Sequence, residues 1–248
     1  MLFNDLNKTY FAVIRFGQET TTCDLEGEII TEAPVPVFDK IKSISESFIG
    51  TIKQVPPAYS AVKINGQRAY SLARKGEIID IPERTVIIHD LKIKRWVSPD
   101  LFVEVTCSSG TYIRSLARDL ALASGSRAYV HSLKRISIGP FSLSQAVNPQ
   151  LFQDDNIQPA EDFIKSFNNV ACINVSKEVC KKVSFGQQIQ PEILDLEMKP
   201  KTGYVGLFSI NDLLIAVLKR KDVDKIKESE CNNYNPDSVW NYMCVLRN

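Results

Sequence analysis

Tyr112 and Arg114 stand two residues apart in the segment Cys107-Ser-Ser-Gly-Thr-Tyr-Ile-Arg-Ser-Leu-Ala-Arg-Asp-Leu120. There an alternating strand enters a tight Ser-Ser-Gly turn and opens an amphipathic helix. A flat ring and a fixed cation at a helix N-terminus suit the holding of a nucleotide. Other chemistries find little support. The two histidines, His89 and His131, have no Ser-His-Asp or Cys-His context, and His89 reads as a structural residue of an alternating strand. No Gly-x-Gly-x-x-Gly or Gly-x-x-x-x-Gly-Lys-Ser/Thr word is present, so no nucleotide cofactor is indicated. What remains is a site without a cofactor. Isomerising a base in RNA fits such a site: it needs a pocket for an extruded nucleotide, a ring to stack on it and a carboxylate held ionised by a neighbouring cation.

Net charge is +1 over 248 residues, modest for a polyanion binder, but the local pattern is uneven. Lys53, Lys63, Arg68, Arg74 and Lys75 fall between Thr51 and Lys75 with no acid among them, alongside Tyr59 and Tyr70. A second cluster gathers Arg114, Arg118, Arg127, Lys134 and Arg135 near Asp119. Interleaved cations and rings are what phosphate contacts and base stacking require, although a solvated basic face has the same composition. The six cysteines (Cys23, Cys107, Cys172, Cys180, Cys231, Cys244) form no Cys-x-x-Cys, and read as reduced, mostly buried thiols. No apolar run approaches the ~20 residues of a membrane span, and the first residues lack an export signal; a cytoplasmic protein is the expectation.

The elements that must position these residues follow from periodicity. Tyr10 to Phe16 reads as a strand, followed by a polar loop over 17–27 and a second strand near Glu28 to Ile30. Phe38, Ile41, Ile44 and Phe48 recur at helical spacing until Gly50. Val55-Pro-Pro57 forces an extended connection, and Tyr70 to Gly76 reads as a short helix closed by glycine. Thr85 to Trp96 and Leu101 to Cys107 alternate as strands. After Gly110, Ile113, Leu116, Ala117 and Leu120 define the buried stripe of the next helix, flanked by Tyr112 and Arg114. This order predicts an α+β fold with a mixed, largely antiparallel sheet and flanking helices over 1–150. A linker over 151–169 and a small β-rich unit over 170–248 follow.

Several words, in order, resemble the bacterial TruB-type tRNA pseudouridine synthases: Lys8-Thr-Tyr10 with Gly17-Gln18, then Gln54-Val-Pro-Pro-Ala-Tyr-Ser-Ala-Val-Lys-Ile-Asn-Gly66 with Ala69-Tyr70 and Ala73 to Gly76, then Cys107 to Leu120 with Leu133-Lys-Arg135. They cover about the first 150 residues. The resemblance implies the pseudouridine synthase catalytic fold and a monomeric enzyme that converts the T-loop uridine of tRNA to pseudouridine, binding the T-arm with no metal or organic cofactor and without a membrane. It also implies roles. Tyr10 stacks on the target base, Arg114 pairs with the catalytic carboxylate, Tyr112 and Leu133 line the uridine pocket, and Lys63 supports the RNA-facing surface. Read without the family, Tyr10 and Leu133 are ordinary core residues and Arg114 a solvated helix residue.

Two departures accompany the resemblance. Thr21 stands where the family's Thr-Asp-Thr has aspartate, while Asp24 and Gly27 still match. The family's Gly-Thr-Leu-Asp-Pro word, which carries its essential aspartate ahead of the Lys-x-Tyr strand, is not in the sequence. Asp24, in a polar loop, and Asp119, about 140° around the helix from Arg114, are weighed as substitutes and set aside. The expectation is a synthase incomplete at its N-terminus, with a non-catalytic tRNA-binding or tRNA-remodelling module as the alternative.

Overall fold

The computed structural model describes residues 6–77, 79–189, 203–220 and 240–246. Two compact units divide the chain, Met1–Ala146 and Val147–Asn248. The first contains, in order, strand β1 (Lys8–Phe16), β2 (Gln18–Thr20), β3 (Ile29–Glu32), helix α1 (Phe38–Ser47), β4 (Gly50–Gln54), β5 (Lys63–Ile64), β6 (Gln67–Arg68), α2 (Ala69–Ala73), β7 (Arg84–Val97), β8 (Asp100–Cys107), α3 (Ile113–Ala123), β9 (Ala128–Ile138) and β10 (Phe141–Ser142). Six strands form one sheet in the order β10-β9-β1-β8-β7-β4, in which every pairing is antiparallel. The fold is thus α+β, and the sheet is the large antiparallel one expected.

Alternation decides which face of the sheet is buried. Ala12, Ile14 and Phe16 on β1 are at most 2% exposed, and they lie in one cluster with Val103 and Leu101, the partners of Ala12 and Ile14 on β8. The buried stripe of α3, namely Ile113, Leu116, Ala117 and Leu120, completes that cluster, and Tyr10 packs against it. Helix α3 therefore covers the even-numbered face of β1. Its direction is also fixed. It follows Cys107, the partner of Lys8, and leads into Ala128, the partner of Phe16, so it runs along β1 in the same sense. Its first turn lies at the Tyr10 end.

The second unit contains α4 (Ala160–Lys165), β11 (Val170–Asn174), α5 (Lys177–Ser184), β12 (Tyr204–Phe208), β13 (Leu214–Arg220) and β14 (Trp240–Val245), with the strands in the order β11-β12-β13-β14. This unit is β-rich, as expected. The stretch 151–169, read from sequence as a linker, falls inside it: α4 packs on β11, and Ile164 and Phe167 are buried. Isolated apolar residues in a polar, proline-bearing stretch give little periodicity, and only the sheet they cover reveals their burial. Cys231 lie outside the described residues. Of the cysteines that are described, Cys23 and Cys107 are buried while Cys172 and Cys244 are exposed, so burial is less general than composition implies.

Candidate functional site

Tyr10 opens the site. It sits near the start of β1, half-buried, opposite Val105 on β8 and Arg135 on β9. Burial pushes its phenol above the ordinary value, while the Arg135 side chain, bonded to it, pulls the other way. Leu133 pairs with Ala12 and so stands on the same face, but it is 46% exposed. An open aliphatic side chain beside a half-buried ring, on a helix-covered face, makes an apolar floor that is not closed over.

Arg114 stands in the first turn of α3. Its Nη1 donates to Asp24 Oδ2 at 2.9 Å and to the Thr22 carbonyl at 3.0 Å, and Nη2 donates to the Tyr59 carbonyl at 2.9 Å. The guanidinium thus ties three segments together: the 20–27 loop, the extended connection after β4, and α3. These contacts engage three of its five N–H donors. The Arg114 and Asp24 side chains are 23% and 27% exposed, so the pair is neither in bulk water nor sealed.

The loop carrying Asp24 is held by its own backbone. Cys23 adopts φ 59°, a left-handed conformation that residues with a Cβ rarely take, and it turns the chain so that its carbonyl accepts Val130 N–H at 3.0 Å. Asp24 and Val130 form an isolated bridge, which fixes the loop to β9. Asp24 Oδ1 accepts Thr22 Oγ1 and the Glu26 N–H, and Gly27 lets the loop close, because a Cβ there would lie 2.5 Å from Thr22 Oγ1. Sequence reasoning left Asp24 in a polar loop without a role; it is Arg114's partner. The Asp24-x-x-Gly27 spacing was the available signal. Asp119, the other carboxylate weighed, pairs with Arg118 at 2.8 Å.

Tyr112 precedes the first turn of α3, is half-buried, and packs with the small cluster of Val62, Ala69 and Ile81. Its backbone N–H donates to Gln54 Oε1 at 2.8 Å, a contact that sequence reading missed although Gln54 opens the Gln54 to Gly66 word. Lys63 is exposed on β5, four residues beyond Tyr59, and lines a cleft of about 590 Å³ with Leu72, Glu77 and Asp80. Tyr10 and Leu133 thus share the face of the sheet that α3 covers, while Arg114 and Tyr112 belong to the start of that helix and make their contacts with the 20–27 loop, Tyr59 and Gln54. Lys63 belongs to the neighbouring hairpin. Among the basic residues, Lys53, Lys75, Arg118 and Arg127 are ion-paired to acids, and Arg74 lies 5.5 Å over the Tyr70 ring. Among the described residues no cluster of His, Cys, Asp or Glu could hold a metal ion, and no helix is long and apolar enough to cross a membrane.

The architecture is that of the pseudouridine synthases. It superposes with a TM-score of 0.64 on a chain of the Cbf5-Nop10-Gar1 complex at 20% identity, covering 98% of this chain and 68% of that one. A second superposition, on the H/ACA RNP bound to a substrate RNA containing 2'-deoxyuridine, gives a TM-score of 0.59 at 18% identity, covering 94% and 63%. Residues 1–113 match the model of the TruB family pseudouridylate synthase N-terminal domain. The tRNA pseudouridine synthase B of Borreliella afzelii (strain PKo) is 37% identical over 229 residues, covering 91% of this chain and 77% of that protein. That of Thermobifida fusca (strain YX) is 36% identical over 225 residues, covering 86% and 74%. The chain belongs to the TruB family. Against the Tropheryma whipplei (strain Twist) relative, 48% identical over 147 residues, it spans 57% of its own length and 39% of the relative's.

Proposed function

We propose that this chain forms the uridine pocket of a tRNA pseudouridine synthase acting on the T-loop. Two observations support the reading: a half-buried ring, Tyr10, packs against the cluster that α3 completes, and Arg114 stands in the first turn of that helix, with family membership behind them. The reaction moves C1' of the ribose from N1 to C5 of the same uracil: the N-glycosidic bond breaks, a C-glycosidic bond forms, C5 loses its proton and N1 gains one. Nothing is oxidised, reduced or transferred elsewhere, so the chemistry needs no cofactor. It needs the base out of the stack, a surface to hold it and a positioned carboxylate.

Tyr10 offers the stacking face and Leu133 an apolar wall; Tyr112 backs the pocket. Arg114 holds the reacting carboxylate on the donors that Asp24, Thr22 and Tyr59 leave over. Asp24 itself is placed as an anchor, since its Oδ1 is committed to Thr22 and Glu26. The substrate is the tRNA T-arm, engaged by a monomer in the cytoplasm without a metal ion, and Lys63 contributes to its phosphate contacts. A second reading, a module that binds the T-arm without chemistry, is favoured by the same occupancy of Arg114 by Asp24.

Release of tritium from C5 of the target uridine in a T-arm RNA separates the two. It is measured on this chain and on the chain read from the in-frame codons ahead of Met1. Release by either supports the enzyme. Binding with no release by both supports the binding module, and no binding by either overturns both readings.

A further inference from the structure

Gln54, the last residue of β4, is 2% exposed, and its two amide ends have different fates. Oε1 accepts the Tyr112 N–H at 2.8 Å, whereas Nε2 is buried with no partner among the described residues. A buried donor left unpaired loses the hydrogen bond it made to water. A side chain present for stability alone would avoid that loss. The half of the amide that is satisfied points at the residue before α3, where the Tyr112 side chain provides no cap to the helix.

The same connection is held at two more points. Ser115 Oγ and Arg118 Nη2 both donate to the Val55 carbonyl, at 2.8 and 2.9 Å, and Arg114 Nη2 donates to the Tyr59 carbonyl at 2.9 Å. Residues 54–59 thus form a strap along the first two turns of α3, and Gln54 is its one side-chain contact to the backbone of the helix start.

From this geometry we infer that Gln54 is a positioning residue: it sets the backbone of Tyr112, and through it the direction of the Tyr112 ring and of Arg114 two residues on, without touching the base. The inference rests on the uridine-pocket reading. Gln54→Met removes the acceptor but keeps length and packing. It exposes one orphan, the Tyr112 N–H, while relieving another, Nε2, so stability changes little. Gln54→Glu keeps an acceptor toward the helix N-terminus, where a carboxylate is favoured.

The test compares binding of a T-arm RNA carrying the target uridine with binding of the same RNA carrying an abasic nucleotide there, with melting followed in parallel. The unsubstituted chain prefers the uridine RNA by about tenfold, the scale of one or two hydrogen-bond-sized contacts. Gln54→Met narrows that preference to within about twofold at unchanged salt dependence, and Gln54→Glu restores it. Full preference in the folded Met variant overturns the inference, as does loss of preference in the Glu variant. Should the Met variant not melt cooperatively, Gln54 is a fold residue and the inference falls. Equal binding of the two RNAs by the unsubstituted chain overturns instead the pocket reading beneath it.

Discussion

Arg114 Nη1 lies 2.9 Å from Asp24 Oδ2, joining the first turn of α3 to a loop ninety residues earlier in the chain. The loop is pinned to β9 through Val130, so the guanidinium is fixed relative to the sheet that carries Tyr10. Asp24→Ala removes the only carboxylate on this cation among the described residues and leaves Arg114 with two carbonyls. The expected loss is about 1–3 kcal/mol of stability. Asp24→Asn keeps an acceptor for Thr22 and Glu26 but sets an NH₂ against Arg114, and its cost is similar. Thermal melting measures both, and unchanged midpoints would show that the pair does not hold the loop.

Arg114→Lys tests geometry rather than charge. An ammonium cannot serve Asp24, the Thr22 carbonyl and the Tyr59 carbonyl from one planar fork. In a catalytically competent form, turnover falls by more than tenfold while T-arm affinity changes by less than about threefold. A parallel loss of both would make Arg114 a binding residue.

Tyr10 separates stacking from hydrogen bonding. Tyr10→Phe loses the contact to Arg135 but keeps the ring; Tyr10→Ala loses the ring. Base stacking is worth about 1–3 kcal/mol, so the alanine variant binds T-arm RNA roughly 5- to 150-fold more weakly and the phenylalanine variant stays close to the parent. Equal affinities for all three would remove the ring from the substrate surface.

Lys63 is exposed on its hairpin, and the proposed function gives it a phosphate contact. Lys63→Ala weakens T-arm binding uniformly across sequences and lowers the slope of log affinity against log salt by about one. An unchanged slope leaves the residue without a phosphate contact.

Away from the site, Asp100 accepts both Arg15 Nε and Nη2 at 2.7 Å, and this guanidinium holds its carboxyl below the ordinary carboxylate range. A folded pKa below the unfolded one contributes stability that is fully present above the unfolded value. It is lost as pH falls through the folded one. The window is therefore acidic, opening near pH ~4 and extending downward. Asp100→Asn costs about 1 kcal/mol at neutral pH, since the pair is partly exposed, and flattens the acid limb of a stability–pH curve. An acid limb as steep as the parent's would place the linkage elsewhere.

Local patterns made much of the first unit legible: the alternation of β1 and β8, the 3.6-residue stripe of α3 and the glycine after α2 all correspond to observed elements. Three strands of the same sheet escaped, among them the two-residue β10, too short to show a pattern. β4 alternates in burial but turns Gly50 and the polar Gln54 inward, and β9 passes from buried Ala128, Tyr129 and Val130 to exposed Ser132 through Arg135, so neither reads as apolar alternation in the sequence. In β9 the break falls at the exposed run from Ser132 to Arg135, which interrupts any strand period. In the site, ring and cation were readable as residue types at a helix start. Their partners were not, because Asp24 and Gln54 meet α3 only through tertiary contacts of long sequence separation.

In the proposed function Tyr10 and Arg114 hold a uridine extruded from the T-loop. A T-arm RNA with 2-aminopurine next to the target uridine reports this directly, since extrusion unstacks the probe and raises its fluorescence. A rise is expected on saturation with the chain, lost in Tyr10→Ala and strongly reduced in Arg114→Ala at saturating protein. A saturated complex with no rise, or a rise of the same size in both variants, would contradict it.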